Sequence, residues 1–272
     1  MQKEEFYKHL CDELRQNRSL YPYYKLTDGT VQQQQFRKAY FLQRLEYIDQ
    51  YVDLSKKPVI WDCGCGYGST CLYLAMNGQP TYGTTLEFYA DQIEQRKAFW
   101  RNYGNADLFD YEYANVFDQQ VPQEKYDYII LQDTLHHIEP LDEALPIFYN
   151  ALKKGGKLIL IEENGGCLIK RAMLYKQRGR KRVVTVYDEV LQKKVLMGNE
   201  NIRTEQQWRK AFDGTGFHLE EDSVRYIRCR FPWRYRENNL QQVIEDEQHI
   251  AARNRLKRQY AFFGLNMVFT KS

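Results

Sequence analysis

Hydrophobic positions follow two different patterns along this chain. In residues 31–53 apolar side chains recur at helical spacing, which predicts a helix with one buried face. A second helix is predicted over residues 2–16, and a turn with three phenols at 21–24 separates the two. Beyond them, short apolar runs of strand type alternate with helical patterns. The chain is therefore expected to divide into a helical segment, residues 1–54, and a larger unit, residues 55–272.

The larger unit is predicted to alternate strands with helices. The expected strands are 59–61, 80–86, 108–113, 126–131, 157–162, 218–227 and 260–270. The expected helices are 69–77, 89–101, 143–152 (ended by Lys154-Gly155-Gly156), 205–212 and 240–255. Such alternation predicts an α/β fold with a doubly wound parallel sheet. Ligands of these sheets bind beyond the carboxyl ends of the strands, so the loops that follow strands are the candidate site.

A glycine-rich loop follows the first predicted strand and opens a helix. Residues 62–68 read D-C-G-C-G-Y-G. Glycines let the backbone approach a ligand closely, and a helix N-terminus adds a partial positive charge. Asp62 at the strand end can accept a hydrogen bond from a ligand ammonium. The third glycine comes one residue too early for the dinucleotide fingerprint, which disfavours an NAD-dependent oxidoreductase.

This D-x-G-x-G-x-G loop resembles the signature of class I S-adenosylmethionine-dependent methyltransferases. The resemblance runs over residues 55–163, and residues 260–271 resemble the closing antiparallel strand of that family. It implies a seven-stranded Rossmann-like sheet and S-adenosylmethionine as the cofactor. It also implies which residues hold the methionine part of that cofactor, namely Asp62, Gly64, Cys65, Gly66 and Gly68.

By the same resemblance, the next loops hold the rest of the cofactor. The residues so assigned are Thr85, Leu86, Glu87, Asn115, Val116, Phe117 and Gln132. Thr85 stands where the family usually has an acid, similar to the threonine variant of fatty-acid cyclopropane synthases, so either Thr85 or Glu87 is expected to bind the ribose. Asn115 replaces the usual Asp and can still pair with an adenine edge. Phe117 is expected to pack either on the adenine ring or in the core.

The loop after the fourth predicted strand carries an adjacent histidine pair. Histidine titrates near neutrality and suits a general base, which methyl transfer to a hydroxyl or amine requires. His137 matches in position a proposed catalytic histidine of phosphoethanolamine methyltransferases, and Asp133 matches an Asp of that motif. The expected catalytic residues are His137, Asp133 and His136. A structural role, in capping or packing, is the alternative for both histidines.

Two segments outside the resemblance are expected to shape the acceptor pocket. The phenols of Tyr21, Tyr23 and Tyr24 are expected to form part of an N-terminal lid over the cofactor. Residues 164–203 break the strand–helix alternation after the fifth strand. They are expected to form a substrate-cap insertion, a helix plus a hairpin, that folds over the sheet edge.

Composition narrows the range of partners. Lys and Arg total 39 against 36 Asp and Glu, a net charge of +3, which argues against broad nucleic-acid affinity. No DNA partner is expected, and RNA, docked through the basic segments 170–182 and 225–236, is the second choice. The six cysteines are too sparse for a disulfide scaffold and suggest a cytoplasmic compartment. No metal is expected, because the C-x-C spacing matches no zinc pair, and no apolar run is long enough to span a membrane.

The sequence therefore predicts an S-adenosylmethionine-dependent methyltransferase that acts on an oxygen or nitrogen of a small or lipid-like acceptor. An anionic or amphiphilic acceptor would suit the basic segments. A non-catalytic relative that binds only the cofactor or a partner protein remains the alternative from a different class.

Overall fold

A computed structural model describes residues 1–87 and 90–272 of the chain. The helices are α1 (Lys3–Gln16), α2 (Tyr21–Tyr24), α3 (Val31–Tyr51), α4 (Ser69–Met76), α5 (Gln92–Trp100), α6 (Leu141–Ala151), α7 (Leu168–Arg178), α8 (Glu205–Phe212), α9 (Leu240–Arg253) and α10 (Arg255–Ala261). The strands are β1 (Ile60–Cys63), β2 (Thr81–Thr85), β3 (Phe109–Tyr113), β4 (Tyr126–Gln132), β5 (Leu152–Glu163), β6 (Val183–Asp188), β7 (Lys193–Gly198), β8 (Phe217–Leu219), β9 (Arg225–Ile227) and β10 (Gly264–Lys271).

The main sheet has the order β3-β2-β1-β4-β5-β10-β8, and β9 also pairs with β10. Strands β1 to β5 run parallel, while β10 is antiparallel to β5. The order reverses between β1 and β4, so the loops after these two strands diverge and leave a crevice at the carboxyl edge. This is the doubly wound α/β sheet that the alternation of elements predicts.

The C-terminal part of the sheet differs from the prediction. The single strand expected over 218–227 is wrong: β8 and β9 are separate strands, joined through a 3-10 turn at Glu221–Ser223. Both pair with β10, at its two ends, so together they take the place of the seventh strand. The last strand begins at Gly264 rather than 260, because residues 255–261 form α10 instead.

The transition from α6 to β5 also differs from the prediction. The pair Gly155-Gly156 does not end the helix, because α6 ends at Ala151 and β5 begins at Leu152. The glycines lie in an irregular part of β5, where the register with β4 shifts. The helix expected over 89–101 is present as α5, and the first residue of that expected range lies outside the described residues.

The N-terminal helices are joined to the sheet unit by a buried ion pair. Glu13 of α1 accepts two hydrogen bonds from the Arg96 guanidinium of α5, at 2.7 and 2.9 Å. Arg96 is fully buried and also donates to the Tyr67 carbonyl and the Tyr24 hydroxyl, both at 2.7 Å. The Trp100 indole donates to the same carboxylate at 2.9 Å. One guanidinium thus connects α1, α2 and the glycine loop.

The insertion (residues 164–203) consists of α7 and the β6–β7 hairpin. The hairpin reaches back to the loop after β4, where Met197 forms a bridge with Ile138. A Cβ on Gly198 would lie 1.9 Å from the His136 carbonyl oxygen. Only glycine therefore permits the hairpin to approach this loop so closely.

Replacing Glu13 by Ala should lower the free energy of unfolding by about 3–5 kcal/mol, because it leaves the Arg96 charge buried without its partner. Asp107→Ala, which breaks the exposed Arg101–Asp107 pair, is the control and should change the stability far less, because solvent screens an exposed pair. Urea unfolding measures both. Equal losses for the two variants would contradict the structural role given to Glu13.

Candidate active site

A cavity of about 880 Å³ opens at the carboxyl edge of the sheet. Its wall comes from the loops after β1, β2, β3 and β4, from helices α2 and α3, and from strand β7. Sixteen predicted site residues line it: Tyr23, Tyr24, Asp62, Gly64, Cys65, Gly66, Thr85, Leu86, Glu87, Asn115, Val116, Phe117, Gln132, Asp133, His136 and His137. Gly68 and Tyr21 do not line it, since Gly68 caps α4 beneath the loop and Tyr21 begins α2.

The Asp62 carboxylate has an unsatisfied oxygen at the cavity wall. The side chain is 2% exposed, and its Oδ2 accepts from the Cys71 thiol at 3.3 Å, while Oδ1 has no hydrogen-bond partner among the described residues. Burial raises the pKa of this carboxyl to about 7. A cationic donor in the cavity would satisfy Oδ1 and favour the ionised carboxylate.

The glycines of the loop are required for close backbone approaches. All three have positive φ, and a Cβ on Gly64 would lie 2.1 Å from the Thr134 side chain. A Cβ on Gly68 would lie 2.2 Å from the Phe109 ring, and one on Gly66 would lie 2.7 Å from the Tyr23 hydroxyl. The Thr134 hydroxyl also donates to the Gly64 carbonyl at 3.1 Å, which joins the loops after β1 and β4.

In the loop after β2, Thr85 and Glu87, the two residues expected to bind the ribose, have different contacts. The Thr85 hydroxyl accepts from the Glu87 amide at 3.0 Å, so this side chain shapes the turn. The Glu87 carboxylate lines the cavity, and burial raises its pKa. Within residues 1–87 and 90–272 it has no hydrogen-bond partner, so its oxygens are available as acceptors.

The loop after β3 presents an amide at the cavity wall. The Asn115 side-chain oxygen accepts from the Phe117 amide at 3.2 Å, which leaves the Asn115 Nδ2 as a donor. Val116 is buried, and Phe117 packs on the main core while also lining the cavity. Gln132, at the end of β4, has a buried Oε1 without a partner.

The phenols of α2 cover the glycine loop. The Tyr23 ring meets Tyr67 edge-on at 4.8 Å and lies half exposed over Gly66. Tyr24 is fixed more firmly, because its hydroxyl accepts from the Ser69 hydroxyl at 2.8 Å as well as from Arg96.

Asp133 pairs with an arginine rather than with a histidine. Its carboxylate forms an ion pair with Arg44 of α3 and accepts from the Tyr40 hydroxyl at 3.4 Å. Burial would raise the pKa of this carboxyl, but the charges of Arg44, His136 and Arg228 together outweigh burial and lower it. Its φ of 50° is unusual for a residue other than glycine and turns the chain sharply after β4.

His136 differs from the expectation of a catalytic residue. Its Nδ1 lies 2.5 Å from a Glu162 oxygen, and both side chains are buried. Burial lowers the pKa of this imidazole, but the Glu162 carboxylate outweighs burial and raises it to about 9. The ring therefore already carries its proton at neutral pH, which a general base cannot do.

His137 has the opposite electrostatic environment. Its Nδ1 lies 2.9 Å from the Gly198 carbonyl, which can only accept, so Nδ1 carries the hydrogen and Nε2 bears the lone pair. Burial lowers the pKa of His137, and the neighbouring positive His136 lowers it further. A neutral imidazole with its lone pair at the cavity is the form that can accept a proton.

The insertion supplies further polar groups of the cavity, Lys170 and Glu200. Lys170 lies 2.6 Å from Glu163 and 3.9 Å from Glu200, and the Glu200 carboxylate lies 3.8 Å from His137 Nε2. Ligand atoms of His136, His137 and Glu200 all fall within 4.8 Å of one another, a spacing that also suits a metal ion. The cysteine spacing gave no reason to expect this cluster.

Several site residues were not predicted from the sequence. Glu162 and Glu163 end β5, so the rule that sites follow strand ends could have identified them. Arg44 and Glu200 carry no such signal, since one lies within a long helix and the other follows a hairpin. Thr134 lies in the loop after β4, so the same rule could have identified it.

Comparisons with known proteins agree with this architecture. A family model described as a methyltransferase domain matches residues 33–222. The chain is 28% identical over 116 residues to phosphoethanolamine N-methyltransferase 1 of Zea mays, covering 42% of this chain and 22% of the relative. It is 27% identical over 151 residues to the histidine protein methyltransferase 1 homolog of Dictyostelium discoideum, covering 52% and 48%. The chain thus spans less than half the length of the curated relatives it matches.

A solved structure shows the same fold. Phosphoethanolamine N-methyltransferase 2 of Haemonchus contortus, in complex with S-adenosyl-L-methionine, superimposes with a TM-score of 0.55 at 16% identity. The superposition covers 84% of this chain and 52% of that chain.

Replacing Glu162 by Gln should raise the pKa of His137. The amide no longer stabilises the charged form of the buried His136, so this ring becomes neutral and ceases to repel a proton on His137. Titration followed by NMR of the imidazole signals measures the change, with unfolding curves to verify that the variant folds. An unchanged or lower pKa of His137 in a folded variant would contradict the coupling.

Proposed function

This chain belongs to the class I S-adenosylmethionine-dependent methyltransferases, and we propose that it methylates an oxygen or nitrogen of an amphiphilic small molecule. The observation that carries the proposal is the lone pair of His137 Nε2, which faces a cavity with a polar and an apolar side. Bound S-adenosylmethionine supplies a methyl group made electrophilic by its sulfonium.

The residues of the first three strand ends fit the cofactor. The Asp62 oxygen that has no partner among the described residues suits the amino group of the methionine part. The glycine loop leaves room for the amino-acid end of that methionine part. Glu87, with its free carboxylate, is assigned to the ribose hydroxyls, and Thr85 is a positioning residue that holds the turn. The Asn115 Nδ2 is assigned to an adenine ring nitrogen.

His137 is assigned as the proton acceptor. With the cofactor bound, His137 Nε2 would take the proton that the acceptor oxygen or nitrogen loses when the methyl group leaves the sulfonium, and the Gly198 carbonyl would keep the ring in the required tautomer. His136 is a positioning residue, whose charge keeps His137 neutral. Asp133 is likewise a positioning residue, because its carboxylate holds Arg44 and Tyr40 against the loop.

The two sides of the cavity favour an amphiphilic acceptor. Lys170, Glu163 and Glu200 offer both charges near His137. Val195, Leu196 and Met197 of β7 line the cavity as well and offer apolar contacts to the rest of the molecule. The relatives named for phosphoethanolamine support a small polar head at this place, whereas the relative named for a protein histidine is the competing acceptor class.

Transfer of a radioactive methyl group from S-adenosylmethionine tests the acceptor class. The protein is incubated separately with a lipid extract, with small polar metabolites, with RNA and with unfolded protein. We expect label in extractable amphiphiles. Label in RNA or protein alone would overturn the proposed acceptor while leaving the methyltransferase activity in place.

Asp62→Asn should weaken S-adenosylhomocysteine binding by about 10- to 100-fold, because it removes a charge-assisted hydrogen bond worth roughly 1.5–3 kcal/mol. Asp110→Asn, at an exposed position of β3, is the matched control and should bind as the wild type does. Isothermal calorimetry measures both, with NAD as a ligand expected not to bind. Undiminished affinity in the Asp62 variant would remove this carboxylate from the cofactor site.

His137→Gln should lower kcat by ~10²–10⁴-fold with little change in cofactor affinity. His249→Gln, at an exposed position of α9, is the control. Because the pKa of His137 is lowered from 6.5, wild-type kcat should be steady at neutral pH and fall only as the pH drops below 6.5. An undiminished kcat in the variant would show that His137 is not the proton acceptor. Loss of wild-type activity with EDTA would show instead that the Nε2 lone pair binds a metal ion.

A further inference from the structure

Helix α7 exposes its apolar side chains on the face turned away from the protein. Leu174 is the buried residue of the helix, whereas Leu168, Met173 and Tyr175 are 56%, 60% and 62% exposed. At 3.6 residues per turn, Met173 and Tyr175 lie ~100° to either side of Leu174, and Leu168 and the exposed Ile169 lie between them on the far side of the helix. An amphipathic helix normally buries such a face, so this one lacks a partner within the described residues.

The same segment carries positive charge that is mostly unpaired within the part of the chain that the structure describes. Residues 164–187 contain no Asp or Glu. Their basic residues are Lys170, Arg171, Lys176, Arg178, Arg180, Lys181 and Arg182. Among residues 1–87 and 90–272, only Lys170 of this set forms an ion pair. Burial and the neighbouring arginines lower the pKa of Arg182, which reflects the concentrated charge.

Helix α10 lies beside α7 and also combines an exposed apolar side chain with positive charge. The buried Asn164, just before α7, donates to the Gln259 and Phe262 carbonyls at 3.1 and 2.9 Å, which fixes the two helices together. Leu256 of α10 is 70% exposed. Arg253, Arg255, Lys257 and Arg258 surround it, and residues 248–272 contain no Asp or Glu.

We propose that the exposed face of α7 and α10, here called the α7–α10 surface, docks the protein on an anionic lipid membrane. Exposed aliphatic side chains among unpaired lysines and arginines are what an anionic bilayer surface accommodates, with the chains in the acyl region and the cations at the headgroups. The described residues contain no helix long and apolar enough to cross a bilayer, so the contact is peripheral.

Aliphatic exposure favours a membrane over RNA as the partner. RNA-binding surfaces combine arginine with planar aromatic rings that stack on bases. Tyr175 is the exposed ring of α7, whereas Leu168, Met173 and Leu256, the larger part of the exposed apolar set, offer no such stacking. In the second basic segment, 225–236, Arg228 already lies 3.6 Å from the Tyr40 ring and Arg225 hydrogen-bonds to Gln50, so these side chains serve internal packing.

The α7–α10 surface adjoins the candidate active site. Lys170 of α7 lines the cavity together with the β7 residues of the same insertion. A membrane-docked molecule would therefore hold the cavity close to the lipid phase, from which an amphiphilic acceptor can enter. This consequence rests on the proposed function, whereas the docking itself requires no turnover.

Flotation with lipid vesicles tests the docking. The full chain should bind vesicles that contain phosphatidylglycerol, bind phosphatidylcholine vesicles much more weakly, and lose affinity as salt rises. Arg255→Gln and Lys176→Gln should each lower the partition coefficient by about fivefold. The double variant Met173→Glu, Leu256→Glu should lower it by more than ~10-fold, because two apolar contacts are lost and two negative charges are added.

Val31→Glu is the matched control, since Val31 is half exposed on α3, outside the α7–α10 surface, and should leave vesicle binding unchanged. Binding of S-adenosylhomocysteine by every variant verifies folding and separates failed docking from failure of the methyltransferase site. Equal binding to both vesicle types would overturn the proposal. Absence of vesicle binding together with salt-sensitive binding of a single-stranded oligoribonucleotide would overturn it in favour of RNA.

Discussion

The shape of the cavity at the carboxyl edge of the sheet depends on the buried Arg96 guanidinium. An unpaired charge at a fully buried position is strongly unfavourable, so Arg96 requires Glu13, and Glu13 lies on a helix outside the sheet unit. The same cation holds the Tyr67 carbonyl and the Tyr24 hydroxyl. The glycine loop, the phenols above it and the N-terminal helix are therefore positioned together, and the cofactor side of the cavity acquires its wall from three separate parts of the chain.

On the opposite side of the cavity, His136 and His137 differ in charge because their surroundings differ. Two adjacent histidines receive different acceptors: a buried carboxylate for His136 and a backbone carbonyl for His137. The first ring becomes a fixed cation and the second a neutral base, because a charge on one disfavours a charge on the other. Gly198 makes this contrast possible, since only a residue without a side chain lets the hairpin carbonyl reach His137. The insertion thus contributes both to the environment of His137 and to the wall of the cavity.

The part of the site around the glycine loop could be predicted from the sequence, because its signals are local. Asp62 and the glycines follow one strand directly, and the alternation of strands and helices places that loop at the carboxyl edge. Asp133 and the two histidines were predicted in the same way, but their partners could not be, because they are distant in sequence: Arg44 meets Asp133, and Glu200 meets His137, only after folding. The misplaced boundaries near 218–227 and 255–261 have a similar cause, since β8 and β9 are selected by pairing with β10 rather than by their own periodicity.

Local sequence was enough to establish the α/β class, the parallel arrangement implied by the crossovers, and a glycine loop suited to S-adenosylmethionine. These follow from periodicity and from the steric freedom of glycine, which act over a few residues. Only the folded chain establishes which histidine keeps a free lone pair, which carboxylates are already paired, and which helix faces stay exposed. Those properties depend on burial and on charges brought together from remote segments. No local sequence pattern encodes the resulting electrostatic field.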